Sequence, residues 1–393
     1  MAQNIPTLNQ LYTDILGQLE SELGITIPLF GRNFLRALAA VQAAKLKLIY
    51  LMIADVQKNI FVDTADPESI GGTLERFGRV KLGRSPFSAQ AGTYTVSVTG
   101  TALAVIKAST TFKSNDNSTS PSMLFQLDND YTLTGTGDTI DVRALEGGLD
   151  SQLVIGDTLT ATAPIANVES LATVTAEVIT PLSAETIEDY RTKAIEAYQL
   201  EPQGGAATDY RLWSADAQGV AKVYPYVKQG FAGEIELFVE ATQIDSIDGK
   251  GTPSIAILND VESVVEFDPD TTKPLNERGR RPVGVFNIDF NPITVKEINV
   301  ELTGYQNLTP TIQATIDTAV EAFIQTVRPF VDAADVLANK KDILSVNNLT
   351  FVILEAVPQS IFTSLDLKVD TVSVPTFTFD NGDIPNFNPL TYV

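Results

Sequence analysis

The 393-residue chain has no cysteine and no histidine. The first absence rules out a disulfide framework and leaves the redox compartment unread. The second removes the commonest general base near neutral pH and the commonest transition-metal ligand. The usual triads and zinc sites are therefore excluded, while carboxylate, Lys, Ser or Tyr chemistry stays open. Tryptophan occurs once, at Trp213. Positive charge is also scarce: 27 basic residues against 49 acidic ones leave a formal charge of -22. Nucleic acids and anionic membranes are bound through a positive field, so neither is an expected partner.

Long apolar runs are missing as well. The most apolar helical stretch, LKLIYLMIADV, is about half of the ~20 residues a membrane span needs, and Lys45, Lys47 and Asp55 flank or interrupt it. The opening MAQNIPTLNQLY has no basic segment followed by an apolar one, so it does not read as a signal peptide. No membrane insertion is expected. What is present is an apolar fraction of 44%, enough to fill ordinary globular cores in two to three domains.

The pattern along the chain predicts a multidomain α+β protein: a helical N-terminal region (1–88), a β-rich domain (89–180), an α+β domain (181–295), and a C-terminal α+β lobe with an extended arm (296–393). Leu8, Leu11, Tyr12, Ile15, Leu19 and Leu23 draw one apolar stripe on a first helix. A longer helix is predicted from Gly31 to Ile60. Its stripe includes Leu48, Met52, Ile53 and Val56, and a small N-terminal body would leave part of it uncovered. An oligomer contact and an internal helical hairpin fit that stripe equally well. A third helix is predicted from Pro67 to Gly78. From Ala91 to about Val178, alternating runs such as TYTVSV and TIDVRAL predict short strands, with SNDNSTSPS as an exposed loop.

Thr186 followed by Asp189 predicts a helix cap. In EPQGGAATDYRLWSADAQGVAKVYPYV, Pro202 to Gly205 should break that helix and a second should carry Tyr210 and Trp213, with Trp213 as a core anchor. VAKVYPYV then reads as a strand, with Pro225 marking an edge or a bulge, and EIELFVEA as its antiparallel partner. Helices are predicted at 253–267, 309–327 and 333–346, and a strand at TFVILEAV. The last stretch, from about Val372, alternates and then breaks at Asn381 and Gly382. It reads as an arm that adds to a neighbouring subunit through Phe377 and Phe379.

No catalytic, cofactor-binding or metal site emerges. DNDYTLTGTGDTIDV does not match a calcium loop and reads as a solvated hairpin. DSIDGKGTPS precedes a helix but lacks phosphate-loop spacing. Arg278, Arg280 and Arg281 form the only strongly basic cluster, suited either to an acidic partner or to local carboxylates. By elimination the chain reads as a structural or interaction part. Two other classes stay open: a glycan-binding β module and a carboxylate-dependent hydrolase.

The order of the pieces resembles the baseplate J-like family, the wedge proteins of contractile phage tails and related injection machines. VDTADPESIGGTLERFGRVKLGRSPFSAQAGTYTVSVTGT, AVIKASTTFKS, VRALEGGLDSQLVIGDTLTATAPIANVESLATV and ETIEDYRTKAIEAYQLEPQGGAATDYRLWSADAQGVAKVYPYV carry the likeness, followed by GKGTPSIAILNDVESVV and RRPVGVFNIDFNPITV. Lys107 and Ala108 stand where the family often has Pro and Gly. The likeness is good from about Phe61 to Val300 and thinner to Val357. It implies a non-enzymatic wedge subunit without cofactors, in a tail baseplate assembled in the host cytoplasm or in a cytoplasmic injection particle. The implied partners are further copies of itself, other wedge subunits, and the hub or spike and sheath proteins.

Overall fold

The computed structural model describes residues 5–28, 34–200 and 204–393. Gly31 and the stretch Glu201 to Gln203, to which the sequence assigned a helix start and a helix break, lie outside them. The chain divides into two compact units, residues 1–85 with 190–195, and residues 86–189 with 196–393.

The first unit begins with α1 (Leu8–Leu23). Thr7 caps it: its hydroxyl accepts the Gln10 N–H at 3.2 Å, and the Gln10 side chain accepts the Thr7 N–H at 2.8 Å. Gly24, at φ 64°, ends it. α2 (Phe34–Lys58) packs against α1, and Leu11, Ala39 and Ala43 are buried there. The predicted third helix is displaced. Glu68–Ile70 is a single 3₁₀ turn, and α3 (Leu74–Lys81) follows it. Gly78 lies inside α3 rather than at its end. It makes room for Tyr190, because a Cβ there would sit 2.1 Å from the Tyr190 hydroxyl oxygen. That hydroxyl donates to the Arg84 carbonyl at 2.7 Å.

In the second unit, residues 93–179 contribute β1 (Thr93–Gly100), β2 (Val105–Ile106), β3 (Thr111–Ser114), β4 (Leu124–Leu127), β5 (Tyr131–Thr132), β6 (Asp138–Ala144), β7 (Thr158–Ala161) and β8 (Val168–Ile179). Six of them close into a barrel in the order β1-β6-β4-β3-β7-β8. Strand alternation fills it: Tyr94, Val96 and Val98 of β1 point inward with Phe112, Phe125, Ile140, Val142 and Val174. Closure removes the free edges that such short strands would otherwise expose.

The chain then runs through α4 (Ile187–Gln199), α5 (Ala207–Ser214), β9 (Val220–Val227), β10 (Glu234–Ala241), α6 (Ile255–Glu266) and β11 (Asn287–Pro292). The Thr186 cap is in place, accepting from the Asp189 N–H at 3.1 Å. β9 and β10 are antiparallel, β11 joins β10 in parallel, and β9 is an edge, as Pro225 predicted. Tyr210, Leu237, Val239, Ile257, Val261 and Ile288 are buried in one core beneath α5 and α6.

The last lobe holds β12 (Thr294–Thr303), α7 (Pro310–Thr326), β13 (Ile343–Ser345), α8 (Val346–Ala356), β14 (Ser364–Val369), β15 (Val372–Ser373), β16 (Thr376–Thr378), β17 (Asp383–Phe387) and β18 (Thr391–Tyr392). Two expectations are overturned here. Residues 333–342 carry only a 3₁₀ turn at Leu337–Asn339, and TFVILEAV belongs to α8 rather than to a strand. Ser345 caps α8 by accepting the Asn348 N–H, and Leu349 and Ile353, four apart, bury one helical face.

The C-terminal arm differs from the expectation as well. It folds onto its own lobe: β16 pairs β13, and β17 and β18 pair β12 in parallel. Pro385 is accommodated because β17 is an outer strand of its sheet.

Candidate functional site

Among the described residues no group of three or more His, Cys, Asp or Glu side chains is placed to hold a metal ion. The acidic run in the barrel is used up in structure. Asp138 is buried and accepts the N–H groups of Thr134 and Gly135, each at 2.8 Å, and the Tyr131 hydroxyl at 3.1 Å. The Thr134 amide leads the hydrogen bonds that hold its carboxyl below the usual carboxylate range. Asp128 pairs with Arg143, and Asp130 with Lys107. The run is not a hairpin: β5 pairs β2, whereas β6 pairs β1 and β4. SNDNSTSPS is exposed at Asp116, Asn117, Thr119, Pro121 and Ser122, as expected, and is pinned to the barrel by buried Ser114 and Ser118; the Ser118 hydroxyl donates to the Thr158 carbonyl at 2.8 Å.

The basic cluster fastens the end of α6. Arg280 donates to Asp216 and to the Val264 carbonyl, both at 2.9 Å, and lies 3.5 Å from Asp268. Arg281 grips both Glu266 oxygens and reaches the Phe286 carbonyl. Arg278 makes a long contact, 3.4 Å, to the Asp268 carbonyl. Cations at a helix C-terminus also meet the negative end of its dipole. Arg280 and Arg281 are thus engaged with local carboxylates, the second of the two uses that the sequence left open.

Phe379 is fully buried in its own lobe, and half-buried Phe377 meets it edge to face at 4.9 Å. Both rings belong to the core of their own lobe, so the arm that carries them is docked within this chain.

The long helix is different. Leu48, Met52, Ile53 and Val56 are exposed by 62, 68, 53 and 62%, and Ile49 and Leu51 beside them are exposed too. α1 covers the alanine-rich early part of α2 and leaves the later half bare. This is far more contiguous apolar surface than scattered single residues produce. The helix is 25 residues long, so the length argument against a membrane span does not hold. Lys45, Lys47 and Asp55 still interrupt it, and Lys47 is tied to the Pro6 carbonyl at 2.9 Å.

One feature had no counterpart in the sequence reading. Arg211 of α5 forks onto Asp335 at 2.5 and 2.9 Å and donates through Nε to the Val223 carbonyl at 3.1 Å. Burial would raise the Asp335 carboxyl, but the bonds and charge of Arg211 outweigh it and hold it below the usual range. Asp335 also accepts the Val331 N–H at 2.8 Å. Beside it, the buried Tyr224 hydroxyl donates to Glu240 at 2.6 Å, and Arg328 lies 3.3 Å from the same carboxylate. The signal was an arginine in the otherwise apolar-faced DYRLW, which needs a buried acid somewhere in the fold.

No curated protein matches this chain. Among solved structures, one titled "Cryo-EM structure of the anti-feeding prophage (AFP) baseplate, 6-fold symmetrised" aligns with a TM-score of 0.40 and 11% identity, over 97% of each chain. The model of the Baseplate J-like protein barrel domain matches residues 95–181. That span coincides with the closed barrel from β1 to β8, so the likeness to the baseplate J-like barrel domain is a likeness of this barrel.

Proposed function

We propose that this chain is a structural wedge subunit of the baseplate of a contractile tail, in a phage or a related injection particle. The observation that carries the reading is the match of the barrel to the baseplate J-like barrel domain. The bare half of α2 supports it, because a subunit of a larger assembly needs surface that its own fold does not cover. In this reading α2 docks on other subunits through Leu48, Met52, Ile53 and Val56. The partners are further copies of the chain, other wedge subunits, and the hub and sheath. Four regions, 1–88, 89–180, 181–295 and 296–393, divide the work, and no region turns over a substrate. The test is direct. Purified particles decorated with a Fab against the barrel should show density at the baseplate end of the tail in electron micrographs. Label along the sheath, on fibres alone, or nowhere on the particle would sink the proposal.

A further inference from the structure

β9 ends the three-stranded sheet, and its outer side is not closed by another strand. The ladder with β10 fixes which groups face out. The Lys228 N–H donates to the Glu234 carbonyl, so positions 228, 226, 224 and 222 form the hydrogen-bonded pairs. Positions 223, 225 and 227 therefore turn their backbone groups away from β10. Two independent facts agree with that register. Pro225, which has no N–H to give, occupies an outward position, and the Val223 carbonyl is taken from outside by Arg211. The outward Pro225 carbonyl and the N–H and carbonyl of Val227 have no partner among the described residues.

These free groups border a groove. A cavity of about 470 Å³ is lined by Pro225, Tyr226 and Val227 together with Ala207, Tyr210 and Phe330 to Ala333. Val227 at the end of β9, Phe231 in the turn after it, and Val283 and Phe286 in the loop before β11 are exposed apolar side chains, with Val227 exposed by 79% and Phe286 by 81%. The hairpin of Phe231 and the loop of Phe286 are joined, since the Phe286 N–H donates to the Gly233 carbonyl at 2.7 Å.

We infer that β9 is a strand-addition site for an extended, apolar segment of another protein subunit. The segment's backbone pairs with Val227 N–H and the carbonyls of Pro225 and Val227, and alternate side chains enter the groove. An edge strand with unpaired amides is a template for such pairing. Pro225 keeps the site short, which favours one brief segment over open-ended stacking of copies. The inference stands on the geometry of β9 and does not depend on the baseplate reading.

The probe is an acetylated, amidated hexapeptide, (Val-Thr)3, added to the full chain. Hydrogen exchange read at the Val227 amide should slow saturably, and the emission of Trp213, 5.2 Å from the Tyr210 ring, should shift with the same midpoint. Val227→Pro removes the outward N–H without touching the β9–β10 ladder, since position 227 makes no ladder bond. It should weaken binding about tenfold or more. Val227→Thr keeps the N–H and should bind like the parent chain. Unchanged exchange at millimolar peptide, or equal binding by Val227→Pro, would overturn the site. Protection that rises with protein concentration alone would show a second copy as the occupant and overturn the assignment to another subunit.

Discussion

Arg211 and Asp335 are 124 positions apart, yet they make one of the most enclosed ion pairs among the described residues. Arg211 has only 4% of its side chain exposed. Removing the acid leaves a buried guanidinium without its counter-charge, a loss worth about 3 kcal/mol or more. Asp335→Asn should therefore lower the urea midpoint at pH 7 without changing the slope. The pair also predicts a pH dependence. The Asp335 carboxyl is depressed in the folded chain, so its contribution is complete above the ordinary carboxylate pKa of about 3.9 and is lost as pH falls through the folded value. Below pH 4 the parent should lose stability faster than Asp335→Asn. Parallel acid limbs would show that Asp335 carries no such linkage. Residue-scale legibility followed sequence distance. The Thr186 cap could be read from four adjacent residues, whereas Arg211 needed a partner that only the fold brings near. Trp213 shows a second limit. It was legible as a large apolar side chain on α5, but it is half-buried, and its neighbour Tyr210 is the ring fully enclosed in the core.

Elements were legible where one period dominated. The alternation in β1 and the stripe on α7 both predicted their structures. α8 was misread because VNNLTFVILEA is a short apolar run, and such runs fit a buried strand as well as a helix. What decides it is Ser345, whose side chain caps the first turn. The C-terminal arm was misread for a related reason. Its prolines argue against a central strand, but an outer strand tolerates them, and sequence alone does not reveal where the sheet ends. Ile384 and Leu390 are buried, and the Tyr392 hydroxyl donates to Asp317 at 3.1 Å. The expectation of an arm that adds to a neighbouring subunit is therefore reversed. In limited proteolysis the isolated chain should resist cutting at 380–383 for as long as the lobe stays folded. Ending the chain at Asp380 strips both partners from one side of β12 and should make the lobe aggregate. Rapid trimming of the intact chain at these residues would contradict the docked arm.

For the molecule as a whole, a net charge of -22 and a bare apolar helix pull in different directions. The charge keeps copies apart in solution through mutual repulsion, while α2 leaves apolar surface in water that association would cover. A protein built to be one part among several needs both properties, since it must stay soluble until its partners arrive. The sequence showed the stripe but could not tell a hairpin from an oligomer contact. The structure shows the hairpin part, because α1 covers the region of Ala39 and Ala43, and it leaves the surface from Leu48 onward bare. Its length also allows a bilayer, so the experiment needs two arms. On the proposed function, Leu48→Glu with Ile53→Glu should abolish co-sedimentation with baseplate subunits. The barrel should keep its circular dichroism, because no barrel residue is altered. The parent chain should meanwhile stay at the bottom of a density gradient with zwitterionic vesicles, since Lys45 and Lys47 would have to enter the hydrocarbon near the middle of any span, at about 5 kcal/mol together. Assembly of the double variant at the parent level would remove α2 from the contact. Flotation of the parent with vesicles, lost in the double variant, would replace a protein partner with lipid.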